Sequence, residues 1–163
     1  MTVAMIWHEF EDAAPQLAEL GRRRFQATHV ALLGTIRKDG SPRISPIEPY
    51  LILDHLLLGM LPSSHKALDL ARDPRCTLHS SVSDVNGSEG EFKVDGRAVL
   101  VTDPALNHGD YEAWWTAKDA SPSRVFSVDV ASAAHIAWNI EKGEMTVLLW
   151  SPESGIESTV QSY

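Results

Sequence analysis

The sequence has almost no cysteine and no long apolar run. Its single cysteine, Cys76, excludes an intrachain disulfide framework. A lone cysteine of this kind is usually a buried packing residue. The longest apolar stretch, residues 51–61, is interrupted by Asp54 and His55, and it falls short of the roughly 18 apolar residues that a membrane helix needs. Acidic residues near the start stand where a signal peptide would have its apolar core. The sequence therefore predicts a cytoplasmic protein with no membrane partner.

Positive charge is also scarce. Fourteen lysines and arginines stand against 22 acidic residues, which gives a formal net charge of −8 and a pI near 5.3. This balance argues against nucleic acid or an anionic membrane as the main partner. The one dense basic run, residues 22–24, is expected to complement the C-terminal end of a helix.

Several motifs that indicate a metal site, a catalytic nucleophile or a nucleotide site are missing. The seven histidines show no H-x-H or H-x-x-x-H spacing, and Cys76 and His79 would point to opposite faces of a strand, so no metal site is predicted. The sequence also lacks the G-x-S-x-G elbow of serine hydrolases, the P-loop and the G-x-G-x-x-G fingerprint. Nucleophilic, nucleotide-hydrolysing and Rossmann-type chemistry are therefore not supported.

The chain does carry the pattern of an antiparallel sheet. Residues 28–36 form a β-type apolar run, Asp39-Gly40 gives a hairpin turn, and residues 43–53 return as a strand. Pro46 and Pro49 cannot donate to a ladder, so this strand is expected to lie at an edge or to be bulged. Further strands are predicted at 56–61, 76–82, 92–101 (broken at 95–96), 123–138 and 145–150, and helices at 10–24, 64–73 and 103–117.

Strands joined by short turns favour a barrel over a βαβ sheet, because a closed barrel leaves no exposed edges. We expect a single domain over residues 1–163, mostly β in the α+β sense. Its fold would be a split antiparallel β-barrel of six to seven strands with a few peripheral helices. Residues 1–27 would form an N-terminal helical segment, and residues 152–163 a loose polar tail.

The most informative stretch is the start of the helix predicted at 64–73. Ser63 and Ser64 precede it, and His65 and Lys66 occupy its first turn. Free backbone N–H groups, hydroxyls and one ammonium would then converge, which is the arrangement that binds phosphate at helix starts. The alternative is a plain serine cap beside a solvated lysine.

Four segments in order give the chain a resemblance to the pyridoxamine 5′-phosphate oxidase-like, FMN-binding split-barrel superfamily. They are the hairpin 31–46, the helix start 63–70, the Arg-Asp-Pro-Arg sequence at 72–75, and Val-Asp-Gly-Arg-Ala at 94–98. The resemblance implies a homodimer that holds FMN, or the deazaflavin coenzyme, at its interface.

The resemblance also implies roles for particular residues. Ser63, Ser64 and Lys66 would hold the cofactor phosphate, and His65 stands where many members have arginine. Arg43, Ser45 and Pro46 would form the wall beside the flavin. Arg43 would reach the phosphate as well, or else simply flank an exposed hairpin. The C-terminal arginine and tryptophan pattern of true pyridoxamine phosphate oxidases is not evident, so vitamin B6 synthesis is not predicted.

Two kinds of function follow from this resemblance. The first is an FMN- or deazaflavin-dependent oxidoreductase acting on a small planar or quinone-like substrate, in which the cofactor supplies the chemistry. The second is a non-catalytic split-barrel dimer that binds a flavin or another small ligand, or serves a structural role with an empty site. A group of aromatic residues lies in the helix predicted at 103–117: Tyr111, Trp114 and Trp115. We expect one of the two tryptophans to pack in the core and the other to cover a pocket or an interface.

Overall fold

The computed structural model describes residues 5–163 and is built mainly of antiparallel strands. The helices are α1 (Trp7–Ala13), α2 (Pro15–Thr28), α3 (His65–Arg72) and α4 (Pro104–His108), with a 3-10 turn at Trp114–Thr116. The strands are β1 (Ala31–Ile36), β2 (Pro42–Ile47), β3 (Pro49–Ile52), β4 (His55–Met60), β5 (Arg75–Ser80), β6 (Glu91–Leu100), β7 (Arg124–Asn139), β8 (Glu144–Ser151) and β9 (Gly155–Ser162). This mostly β architecture confirms the predicted fold class.

The two ends of the main strand path are neighbours in the sequence, which requires the sheet to curve. The strands follow the order β2-β1-β5-β6-β7-β4-β3, so β2 and β3 are the two ends of the path. Only Glu48 separates Ile47, the last residue of β2, from Pro49, the first residue of β3. The strand predicted at 43–53 is therefore two edge strands, and each of them carries one of the two prolines.

Strand β7 has 16 residues and pairs with three other strands. Its first half pairs with β4 and β6, and its second half with β6 and β8. Strand β6 continues through the break predicted at 95–96, and the irregularity there is a register shift of the β6–β7 ladder between Asp95 and Gly96.

Aromatic residues from the two N-terminal helices fill the main core. Trp7 and Phe10 of α1 and Phe25 of α2 are at most 3% exposed, and Trp7 and Phe25 both pack on Phe92 of β6. A second cluster of buried residues lies apart from this core and consists of Leu57, Leu106, Trp115 and Val125. Cys76 is buried, as its isolation in the sequence predicts. No helix within residues 5–163 has both the length and the apolar character required to cross a bilayer.

Three predictions about these elements are wrong. The helix expected at 103–117 ends at His108, and a turn leads to the separate 3-10 helix. The tail beyond residue 152, expected to be loose, continues as β9, which pairs along its whole length with β8. Together with the division of the strand at 43–53, this gives nine strands within residues 5–163 instead of six to seven.

The basic run at residues 22–24 does not lie in the last turn of α2, so the prediction that it complements a helix C-terminus is wrong. Arg22 bonds to Glu11, Arg23 to Glu19, and the buried Arg24 to Glu89 at 2.9 Å. Each guanidinium therefore has a carboxylate partner within the protein. These ion pairs account for the run without a bound ligand.

Candidate functional site

Helix α3 begins as the sequence predicts, with Ser64 as its N-cap. Ser64 has extended backbone angles, and its Oγ accepts a hydrogen bond from the backbone N–H of Ala67 at 3.3 Å. At the other end, Asp73 is the C-cap and precedes Pro74, which disfavours further helix. The cap satisfies one N–H of the first turn, so the N–H groups of His65 and Lys66 point out of the helix start.

The ammonium of Lys66 lies against the end of β2. Its Nζ donates a hydrogen bond to the carbonyl oxygen of Pro46 at 2.7 Å. Partial burial lowers the pKa of Lys66, and the carboxylate of Glu48 opposes that shift. The lysine therefore joins the helix start to the edge of the sheet.

Beside this contact lies a cleft of about 370 Å³, which we call the apolar cleft. Three predicted site residues, Pro46, Ser64 and Lys66, line it. Its other lining residues are mostly apolar, and Glu48 is the only acidic one: Val30, Ile47, Glu48, Gly59, Met60, Leu61 and Trp114. Trp114 is the half-buried neighbour of the core residue Trp115, which confirms that one tryptophan of the pair is a core residue and places the other on a cleft.

Arg43 points away from Lys66, to the other side of α3. Its Nε donates a hydrogen bond to Oδ2 of Asp69 at 2.7 Å, and Thr35 Oγ1 donates to the same oxygen at 2.9 Å. Burial raises the pKa of Asp69, but these hydrogen bonds and the charge of Arg43 outweigh burial, so the net pKa lies below its usual value. The buried carboxylate therefore stays ionised and holds the guanidinium in place.

Arg43 and His65 line a second, larger cleft of about 710 Å³, which we call the basic cleft. One face of α3, with residues at spacings of three and four, forms its floor. The full lining is Arg37, Lys38, Asp39, Arg43, His65, Leu68, Asp69 and Arg72. Three arginines and one lysine thus surround one cleft of a protein whose net charge is −8.

The seven predicted site residues are therefore divided. Ser45 lies on the same strand as Arg43 but lines neither cleft, and Ser63 is exposed in the turn before α3. Side chains alternate along β2, so Arg43 and Pro46 fall on opposite faces and cannot form one wall. Sequence reasoning missed Asp69, which is only 4% exposed. Its one sequence signal is its spacing of three residues from Arg72.

A family model with the description "Pyridoxamine 5′-phosphate oxidase" matches residues 17–137. No curated protein matches the chain.

Solved structures with the same fold match almost the whole chain at low identity. PhzG from Burkholderia lata 383, in complex with tetrahydrophenazine-1-carboxylic acid, is 13% identical with a TM-score of 0.65, and 100% of each chain is covered. A pyridoxamine 5′-phosphate oxidase-related, FMN binding protein from Nostoc punctiforme PCC 73102 is 13% identical with a TM-score of 0.67, covering 92% of this chain and 98% of that one. A heme binding protein from Mycobacterium smegmatis is 14% identical with a TM-score of 0.63, covering 91% and 89%. At these identities the likeness concerns the fold alone.

Proposed function

We propose, from the premise that this chain belongs to the pyridoxamine 5′-phosphate oxidase family, that it binds FMN or the deazaflavin coenzyme at the start of α3. The observation that carries the proposal is the position of Lys66, whose ammonium stands beside the capped helix start and at the mouth of the apolar cleft. An ammonium, outward backbone N–H groups and serine hydroxyls form a donor set that fits a phosphate monoester.

The rest of the apolar cleft fits the apolar edge of a planar ring. The apolar lining of the cleft includes the exposed Leu61 and the half-buried Trp114. Asp69 holds Arg43 in the basic cleft. Lys66 is therefore the one basic side chain in the lining of the apolar cleft. We therefore assign phosphate binding to Ser63, Ser64 and Lys66, and contact with the ring to Pro46 and Trp114.

The protein would bind, orient and shield the ligand, while FMN, when bound, supplies hydride and electron transfer. Lys66 would fix the phosphate end, and Trp114 would exclude water from one side of the cleft. We propose an oxidoreductase role on a small planar substrate, because the apolar walls next to the site suit such a molecule.

A second copy of the chain would complete the site. On the outer face of the β1–β2 hairpin, Leu32 is 42% exposed and Ile44 is 72% exposed, and Leu32 pairs with Pro46 of the apolar cleft. Exposed apolar residues on a sheet face that adjoins a ligand cleft support a homodimer with the ligand at its interface.

A non-catalytic binding role is the second candidate. It is favoured by the single basic side chain in the apolar cleft, since a phosphate dianion held by one lysine is incompletely neutralised. Reduction of bound FMN or deazaflavin by NADPH or a deazaflavin reductant, followed by turnover of a quinone, would establish the enzyme. Tight binding without turnover would establish the carrier.

The test is a fluorescence titration of purified protein with FMN and with the deazaflavin coenzyme. We expect micromolar binding of one of them, weakened by about 1.5–3 kcal/mol in Lys66→Ala, the scale of a hydrogen bond to a charged group. Lys142→Ala is the matched control, because Lys142 is exposed and lines neither cleft. Failure of both ligands to bind would refute the proposal, and equal affinity in the two variants would show that the phosphate lies elsewhere.

A further inference from the structure

The basic cleft has more cationic groups than its own carboxylates use. Arg37, Lys38, Arg43 and Arg72 line it together with only two acidic residues, Asp39 and Asp69. A cleft lined mainly by cations raises the local concentration of anions, here against the repulsion of a protein whose net charge is −8.

Both carboxylates of the cleft are already engaged. Asp39 accepts hydrogen bonds from the backbone N–H and the hydroxyl of Ser41, at 3.0 and 2.6 Å. Asp69 accepts from Thr35 and Arg43 on one oxygen and from Arg72 on the other. Neither carboxylate therefore needs a further cation.

The arginines keep unused donors in fixed positions. Arg43 uses Nε for Asp69, and Arg72 uses one terminal nitrogen for Asp69 and for the carbonyl of Ile36. A guanidinium has five N–H donors, so several remain on each. Within residues 5–163, the side chains of Arg37 and Lys38 form no ion pair.

The cations come from two sides of the basic cleft. Arg43 and Arg72 are held together at α3 by the carboxylate of Asp69, and Arg37 and Lys38 lie in the turn between β1 and β2. A single phosphate would fill only a small part of a cleft of about 710 Å³, whereas a chain of linked phosphates can occupy more of it and contact cations on both sides.

We propose that the basic cleft binds an oligophosphate group. The planar forks of Arg43 and Arg72 suit phosphate oxygens, and both are held in place by Asp69. The site lies on the opposite side of α3 from the apolar cleft, so it does not depend on the flavin proposal.

The test is calorimetric titration at low ionic strength with orthophosphate, pyrophosphate and tripolyphosphate. We expect affinity to rise along this series, because longer chains can contact more of the four cations. The double variant Arg37→Ala/Lys38→Ala should weaken tripolyphosphate binding by roughly tenfold or more, the effect of losing one or two charge-assisted hydrogen bonds. Arg37→Lys/Lys38→Arg should restore most of the binding.

The matched control is Lys118→Ala/Lys142→Ala. It removes the same two charges from exposed positions outside the basic cleft, so it reports the effect of net charge alone. We expect it to change tripolyphosphate affinity by less than about twofold. Equal weakening by the two doubles, equal affinity for orthophosphate and tripolyphosphate, or no binding of tripolyphosphate at millimolar concentration would each overturn the inference.

The outcome is separable from that of the flavin proposal. FMN titration into Arg37→Ala/Lys38→Ala should give the wild-type affinity, because Lys66 lies in the other cleft. Loss of FMN binding in this variant would place the cofactor phosphate in the basic cleft and overturn the assignment of a separate site. Tripolyphosphate binding that depends on Arg37 and Lys38 would support the inference even if the wild-type protein binds no flavin.

Discussion

The two clefts beside α3 use the same eight-residue helix in different ways. The apolar cleft takes Ser64 and Lys66 from the helix start, and a hydrogen bond of 2.7 Å to β2 holds the lysine in place. The basic cleft takes the face that runs from His65 to Arg72, and the buried carboxylate of Asp69 organises its cations. The first site depends on local capping, and the second on ion pairs between distant segments. The two should therefore respond to different substitutions.

The largest expected effect is on the basic cleft. Asp69→Asn keeps the size of the side chain but removes the charge that holds Arg43 and Arg72. Because Asp69 is only 4% exposed, we expect the free energy of unfolding to fall by about 3 kcal/mol. Urea unfolding followed by circular dichroism measures this loss.

The pH dependence checks the same ion pair. The folded-state pKa of Asp69 lies below its usual value of 3.8, so its contribution is fully present well above that pH and is lost as the pH falls below it. The stability gap between wild type and Asp69→Asn should therefore be constant near neutral pH and narrow below 3.8. Asp39→Asn, at the exposed tip of the same cleft, is the control and should have a smaller effect. A gap unchanged at low pH would contradict the assignment.

The second effect concerns the wall of the apolar cleft. A Cβ added at Gly59 would lie 2.1 Å from Cε3 of Trp115, which is only 3% exposed and cannot move freely. Gly59→Ala should therefore lower the free energy of unfolding by about 2 kcal/mol through overpacking.

Gly34 provides a matched control for this overpacking. It is also a strand glycine, but a Cβ there meets its nearest atom, Thr77 O, at an ordinary 3.6 Å. Gly34→Ala should be neutral or slightly stabilising, because alanine restricts the unfolded chain more than glycine does. Equal destabilisation by the two variants in thermal melts would show that the ring of Trp115 is not the cause.

The smallest effect is on the helix start itself. Ser64→Ala removes the cap of α3 and should lower the free energy of unfolding by about 1 kcal/mol. Ser63→Ala, one residue earlier and exposed, should change it by less than about 0.5 kcal/mol. Denaturant unfolding of the two variants compares their free energies of unfolding. The comparison distinguishes the loss of the helix cap from the loss of any serine hydroxyl. A larger loss for Ser63 would reverse the assignment of the cap.

Local signals were enough to predict the helix start and the edges of the sheet. The serine pair and the Asp-Pro sequence bound α3 within one residue at each end, because capping and the restriction before proline act over a single turn. The prolines marked an edge correctly. They could not show that Glu48 divides the segment into two strands at opposite ends of the sheet, because that depends on which strands pair.

The errors arose where tertiary packing overrode local preference. The helix beginning at Pro104 ends early, and the hydroxyl of Tyr111 bonds back to the carbonyl of Leu106 while Trp115 packs into the second cluster. The polar tail gave no apolar alternation, yet β9 forms because β8 offers it a full ladder. Arg43 and Asp69 form an ion pair although they are 26 residues apart in the sequence, and no local pattern indicates this pairing.

Glu48 also bears on the way the chain folds. It is a one-residue loop between the two edges of the sheet, so bringing those edges together adds almost no loop-closure entropy once the β1–β2 and β3–β4 hairpins exist. We expect the larger entropic cost in the pairing of β4 with β7, whose partners Leu57 and Ser127 are far apart along the chain. Glu48 thus links the two ends of the strand order covalently, and we expect the pairing of β4 with β7 to limit the folding rate.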